Sequence, residues 1–307
     1  MIGLILLMGA SIGLAAFLIS DDDDAGSDAV GSDGVDIVSD KDYEDEINAD
    51  IDDLVQSNEL TAEQGQAVRD AVQYSDGPLD VETKGGNDVV LGTDQDDSVH
   101  AGEGIDLVLG GAGDDDIHLG DGDDVYGIDG RFQENVNDDI VRFPYNEAEV
   151  GEESTHEAGN DTVMGGDGED AIADGYGNDE LRGGHGDDFI ISVDQDGNSP
   201  DTVVGGPGRD ELVVDEGDVV ETGGWSDLVI VELQEQVAEG YAQVQVTDFD
   251  KAADRLGVRV WDGAVDPEVT VADSADGKGA IVSVDGIEIV NVVGGQGLTV
   301  SDIHLFT

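Results

Sequence analysis

Five aspartates, Asp88, Asp97, Asp106, Asp115 and Asp124, stand nine residues apart without a slip, and the interval returns at Asp161, Asp170, Asp179 and Asp188. Asp201 and Asp210 keep it, and Asp218 and Asp227 follow at spacings of eight and nine. Two residues after these acids comes an apolar side chain, as in Val90, Val99, Val108, Ile117, Tyr126, Val163, Ile172, Leu181 and Ile190. A carboxylate on so short a stem can reach an ion tucked into a tight turn. Glycines in the turn let the backbone take positive φ and bring carbonyl oxygens together. Hard oxygen ligands in a flexible, high-coordination site suit Ca²⁺ better than the smaller, strictly octahedral Mg²⁺. The apolar residue two positions on lies in an extended segment and points inward, so a thin stack of Val, Ile and Leu rungs is the expected core.

Two clear copies are Gly110-Gly111-Ala112-Gly113-Asp114-Asp115-Asp116-Ile117-His118 and Gly205-Gly206-Pro207-Gly208-Arg209-Asp210-Glu211-Leu212-Val213. They resemble the RTX, or haemolysin-type, nonapeptide repeat G-G-x-G-x-D-x-U-x, in which U is a large apolar residue. The resemblance implies a parallel β-roll in which two nonapeptides make one coil and calcium sits between successive turns on the same edge. It implies that the ligands are the position-six carboxylates of Asp88, Asp97, Asp106, Asp115, Asp124, Asp161, Asp170, Asp179, Asp188, Asp201, Asp210 and Asp227. Turn carbonyls complete the implied set, at Gly110, Ala112, Gly113, Gly165, Asp167, Gly183, His185, Gly205 and Pro207. Asp88, Asp106 and Asp124 then stack along one edge and Asp97 and Asp115 along the other; in the second block Asp161 pairs with Asp179 and Asp170 with Asp188. Lys84 and Gln95 stand where the pattern has glycine, which weakens the first edge sites.

Composition narrows the partners. The 307 residues carry 11 Lys and Arg against 75 Asp and Glu, and 11 − 75 gives −64. Nucleic acid is excluded, because its affinity for proteins rests on cations neutralising phosphates, and anionic lipid headgroups are repelled equally. Asp outnumbers Glu by 53 to 22, which favours turns over helices. A saline habitat would explain scattered acids, but not a nine-residue phase tied to an inward apolar residue. The chain has no Cys, so disulfides and thiolate metal sites are excluded.

The expected fold is mainly β, with several parts to position the ladder. Residues 1–20 form an apolar segment in which Ile2 to Ile19 reaches the lower limit for a membrane span. The first basic residue is Lys41, so an uncleaved anchor is favoured over a cleaved signal. Gly9-Ala10-Ser11-Ile12-Gly13 matches a nucleophile-elbow pattern, but reads better as small residues of an apolar helix. Residues 21–40 read as an acidic, disordered linker. Residues 41–76 read as a helical hairpin, with Ile47, Ile51, Leu54 and Val55 on one helix and Ala67, Val68, Ala71 and Val72 on the next, after the capping box Thr61 to Gln64. The β-roll is expected over 83–235, with an insertion at 128–158. A C-terminal β-rich cap follows at 236–307, including a type I′ hairpin at Asp285-Gly286. The final Leu298 to Phe306 resembles the terminal signal of type I secretion targets.

Other candidate sites are weaker. His100 and His118 become outer-face neighbours in a two-rung coil, a pair that could share a transition metal but lacks a third ligand. Asp194-Gln195-Asp196-Gly197-Asn198 echoes an EF-hand loop without its closing Glu. There is no His-Glu-x-x-His, and no catalytic residue is assigned. The function expected from the sequence is a non-enzymatic, calcium-binding protein of the bacterial cell exterior, extracellular or on the cell surface, that folds on binding Ca²⁺. A membrane-anchored form facing the periplasm is the alternative location. A calcium-dependent adhesion or self-association module and a secreted enzyme with an unrecognised site are the alternative functions.

Overall fold

The computed structural model describes residues 37–40, 48, 56, 72–75, 77–127, 159–194, 199–234, 236–238, 240–261, 264 and 266–306. They belong to two compact units, Met1–Ala158 and Gly159–Thr307. The expected insertion at 128–158 and the apolar segment Ile2 to Ile19 lie outside the described residues. Among the described residues, no helix is long and apolar enough to cross a membrane.

The first unit contains β1 (Ile37–Asp40), β2 (Val72–Ser75), β3 (Asp80–Glu82), β4 (Val89–Thr93), β5 (Ser98–Glu103), β6 (Leu107–Gly111), β7 (Asp116–Asp121) and β8 (Val125–Tyr126). Successive strands of the repeat alternate between two parallel sheets, β2-β1-β4-β6-β8 and β3-β5-β7. Register steps by two nonapeptides: Val90 pairs with Val108 and Val108 with Tyr126, while Val81 pairs with Val99 and Val99 with Ile117. Val90, Val99, Val108, Ile117 and Tyr126 are completely buried. The parallel β-roll expected from the repeat is therefore present.

Two expectations are corrected here. Ile37–Asp40, read as the end of a disordered linker, is a strand paired on both sides, with β2 and with β4. Val72, read as helical, begins β2. Physically, the first repeat strand leaves one row of backbone N–H and C=O groups without a neighbour, and Ile37-Val38 and Val72-Gln73-Tyr74 have the β-branched and aromatic character to pair there. Local helical periodicity yielded to that edge. The helical hairpin is not supported as a unit: Asn48 and Gln56 are helical, and Ile47, Ile51, Leu54, Val55, Ala67, Val68 and Ala71 lie outside the described residues.

The second unit contains β9 (Thr162–Asp167), β10 (Ala171–Asp174), β11 (Glu180–His185), β12 (Phe189–Ser192), β13 (Thr202–Gly208), β14 (Glu211–Val214), β15 (Val219–Trp225) and β16 (Leu228–Glu232). These alternate between two sheets as before. They are followed by β17 (Val244–Val246), β18 (Arg255–Arg259), β19 (Val269–Asp273), β20 (Gly279–Val284), β21 (Ile287–Val293) and β22 (Ile303–Phe306). One column of paired inward residues runs Ile172, Ile190, Leu212, Val229, Leu256, Ile303; the other runs Leu181, Val203, Val220, Val246, Val292, with Val163 beside Leu181. The C-terminal strands thus continue the parallel stacking before β21, β20 and β19 turn antiparallel. Asp285 and Gly286 both take positive φ between β20 and β21, as a type I′ hairpin requires. β22, within the stretch resembling a secretion signal, pairs with β18.

Candidate metal centre

The turns between strands hold the ladder carboxylates. All twelve predicted aspartates are buried, none more than 3 % exposed. Burial of so many acids needs compensation, since an ionised carboxylate without partners is costly away from water. Part of it is a recurring bond between coils. The backbone N–H of Asp88 donates to Asp106 Oδ1 at 2.8 Å, and that of Asp106 to Asp124 Oδ1 at 2.8 Å. On the other edge Asp97 donates to Asp115 Oδ1. The second unit repeats the device from Asp161 to Asp179, Asp179 to Asp201 and Asp201 to Asp218, and from Asp170 to Asp188, Asp188 to Asp210 and Asp210 to Asp227. Each acid therefore caps the amide of its same-edge neighbour one coil earlier, and the stacking inferred from the nine-residue phase is realised within each unit.

The second oxygen has a different environment. Oδ2 of Asp106, Asp188, Asp201, Asp210 and Asp227 is buried without a hydrogen-bond partner. Beside it lies a floor of glycine. A Cβ at Gly205 would fall 2.5 Å from Asp210 Oδ2 and 2.7 Å from the Thr222 carbonyl oxygen, so only glycine leaves that space open. Gly102, Gly111, Gly120, Gly166, Gly184 and Gly206, each four residues before a ladder acid, take positive φ. Such turns aim carbonyl groups inward: the His185 and Pro207 carbonyls each accept one N–H, from Gly168 and Gly186, and keep a second lone pair. Of the other predicted carbonyl donors, Gly110 lies against Gly92, Gly183 against Gly165, and Gly113 takes positive φ. The Ala112 amide bonds to the Thr93 carbonyl. Asp167 keeps its side chain outside, 2.9 Å from the His185 imidazole.

This donor set, orphaned carboxylate oxygens over a carbonyl-lined space, fits a hard cation that takes many oxygens, as Ca²⁺ does. Without one, burial pushes Asp106 up to about 7, Asp188 to about 6, Asp210 to about 8 and Asp201 to about 9. The neighbouring carboxylates reinforce the rise, while the capped amides oppose it.

Two site residues, Asp174 and Asp254, escaped the sequence reading. Asp161, Asp174 and Asp179 each bring one oxygen within 4.8 Å of the others, and all three are buried. Asp174 stands five residues before Asp179, a position that holds glycine before Asp97, Asp115, Asp170, Asp188 and Asp210; the spacing was visible, but its consequence was not. Asp254 extends one edge, accepting the Asp227 amide at 3.2 Å, and the 27-residue interval after Asp227 was its signal. Not all ladder acids are alike, however. Asp97 Oδ1 accepts from the Leu79 amide at 2.7 Å and the Thr93 hydroxyl at 3.0 Å, and its Oδ2 accepts from the Thr93 amide at 2.6 Å. Asp218 Oδ2 accepts from the Ser192 hydroxyl and the Asp215 amide, and Asp254 Oδ2 from the Asp250 amide and the Thr222 hydroxyl.

His100 and His118 do stack, with ring centroids 4.6 Å apart and planes 9° from parallel. Asp194, the start of the EF-hand-like stretch, is buried and accepts the Ser199 amide at 2.7 Å; residues 195–198 lie outside the described residues.

A search of curated proteins finds none that matches the chain. The family described as the RTX calcium-binding nonapeptide repeat does match, in four copies at residues 81–108, 91–126, 157–190 and 195–219. These matches cover the Gly-rich turns and ladder acids from Asp88 to Asp124 and from Asp161 to Asp218, with Asp227 and Asp254 beyond them, so the chain carries the RTX calcium-binding nonapeptide repeat and is a calcium-binding β-roll protein.

Proposed function

We propose that the protein acts outside the cytoplasm, in the extracellular medium or at the cell surface, as a non-catalytic module that folds when Ca²⁺ enters its turns. The observation that carries this reading is the set of buried Oδ2 atoms of Asp106, Asp188, Asp210 and Asp227, each lacking a donor while Oδ1 is capped. Asp227 adds its own amide to Asp254. The ladder Asp and the turn carbonyls hold the ion; bound calcium supplies the charge that the stacked carboxylates otherwise lack. Because the apolar core is a thin stack of short strands, much of the folding free energy comes from that binding. Low cytosolic calcium leaves the chain loose for export, and millimolar external calcium folds it.

The test is a calcium titration of the full chain followed by far-ultraviolet circular dichroism. Chelator should give little β signal, Ca²⁺ should restore it, and Mg²⁺ at equal concentration should do much less. A complete β signal in chelator would overturn calcium-driven folding. Location is tested separately by fractionating cells for the mature protein and sequencing its N-terminus.

A further inference from the structure

The ladder acids divide by what holds their second oxygen. In one class Oδ2 has no protein donor, as in Asp106, Asp188, Asp201, Asp210 and Asp227. In the other, Asp97, Asp218 and Asp254, both oxygens are occupied by N–H and O–H donors of the chain itself. From this division we infer that Asp97, Asp218 and Asp254 are metal-free staples, closed by their own turns, and that calcium enters only at rungs of the open class. The inference rests on the calcium reading above and specifies which positions of the same ladder that reading concerns.

The local cause is the residue a few positions before the acid. At four of the open rungs the residue four before is glycine with positive φ: Gly102 before Asp106, Gly184 before Asp188, Gly206 before Asp210 and Gly223 before Asp227. That conformation is unfavourable for residues with a Cβ and turns the local amide away from the carboxylate. At Asp97 the position is Thr93, and at Asp254 it is Asp250; neither takes positive φ. Their amides instead donate to Oδ2, at 2.6 Å and 2.7 Å. Asp218 belongs to a turn one residue short, and the amide that closes it is Asp215, at 2.9 Å, helped by the Ser192 hydroxyl at 3.1 Å. Lys84 sharpens the rule from the other side. It is not glycine, yet it takes the same positive φ, 83°, four residues before Asp88.

A carboxylate oxygen already facing an N–H presents the wrong end of a dipole to a cation, and Ca²⁺ would have to displace two donors to bind there. The staples also have a place in the fold. Asp97 lies near the first repeat strands, and Asp218 and Asp254 lie at the C-terminal rungs of the second unit. Chain-supplied donors thus hold the rungs near these ends, and metal is required in the stretch between them within each unit.

Counting bound calcium on the full chain tests this, by atomic emission after dialysis against buffered Ca²⁺, with circular dichroism confirming β structure. Asp106→Asn, Asp188→Asn and Asp210→Asn should each lower the count by at least one ion per chain. Asp97→Asn, Asp218→Asn and Asp254→Asn should leave it at the wild-type number. If the staple variants fold poorly, Thr93→Gly keeps the carboxylate, removes the hydroxyl from Oδ1 and lets the turn take the positive φ of the open rungs, which swings the amide off Oδ2, and it should raise the count by one. Loss of an ion in Asp97→Asn equal to that in Asp106→Asn, or an unchanged or lower count in Thr93→Gly, would overturn the staple assignment and leave the calcium reading intact. A wild-type chain with no bound calcium would overturn both.

Discussion

Asp106 gives one oxygen to the Asp88 amide and buries the other without a donor, so in the metal-free chain it is pushed up to about 7 by desolvation and by the charges of Asp124 and Asp88. Asp188, Asp210 and Asp201 follow, at about 6, 8 and 9. An unfolded aspartate titrates near ~4. A carboxylate whose folded value is raised stabilises the fold fully below that unfolded value and loses the contribution as pH rises through the folded one. In chelator, β structure should therefore be greatest at acid pH and should decline as pH climbs from about 4, where the unfolded aspartates ionise, through the folded values of about 6 to 9. Calcium competes with the same protons, so its midpoint should fall to lower concentration over that window. Circular dichroism against pH, with and without Ca²⁺, checks both slopes; metal-free β structure that grows with pH would contradict them. A second prediction concerns backbone conformation. Trp225 holds φ 103° while remaining 81 % exposed, two residues before Asp227, where the repeat calls for glycine. The left-handed penalty of ~1–2 kcal/mol outweighs the extra unfolded-state freedom of glycine, ~0.5–1 kcal/mol, so Trp225→Gly should stabilise the calcium-loaded chain by about 0.5–1 kcal/mol. Thermal melting in saturating Ca²⁺ measures it.

Strands of two to seven residues bury only a few apolar side chains each, which makes these rungs the element's main source of hydrophobic stability. Leu212 is completely buried in β14 between Ile190 and Val229 of its neighbours. Leu212→Ala should cost ~2–5 kcal/mol, since so thin a core has little else to collapse into the cavity. Half-buried Glu211 is not a suitable control, whereas Thr202→Ala at an exposed position of β13 should change melting by less than about 0.5 kcal/mol. These elements were legible because ladder acid and inward residue keep a fixed offset: every inward residue named from Val90 to Ile190 is fully buried. The strands that were missed lack that signature. β1 and β2 form where a sheet edge needs a neighbour, a demand that no local window of sequence contains. β19 has no buried residue to mark it and is recruited by antiparallel pairing with β20. The candidate site was legible to the same degree. Phase located the carboxylates, but whether an acid is open or closed depends on the hydrogen bonds of its turn, which the repeat consensus does not distinguish at Thr93 or Asp250.

At the scale of the whole chain, a net charge of −64 raises the question of whether calcium acts as a specific ligand or as one more counterion. The two act at different depths. Exposed acids repel through solvent and are screened when the Debye length shrinks to ~3 Å at about 1 M salt. The ladder carboxylates are at most 3 % exposed, so salt in the surrounding water screens them much less, and Na⁺ has one charge with which to hold several oxygens. Sodium chloride at about 1 M in chelator should therefore contract the unfolded chain, seen as a smaller hydrodynamic radius, without restoring the β signal. Millimolar Ca²⁺ at low ionic strength should restore both, and should do so steeply, because each coil is stabilised mainly by its neighbours and an occupied turn orders the next. Asp106→Asn, which changes the net charge by only one, should shift the calcium midpoint by several-fold and flatten the titration, whereas neutralising an exposed acid such as Asp114 should barely move it. Full β structure in sodium chloride and chelator, or equal shifts for Asp106 and Asp114, would mean that charge density governs folding in place of coordination at phased turns.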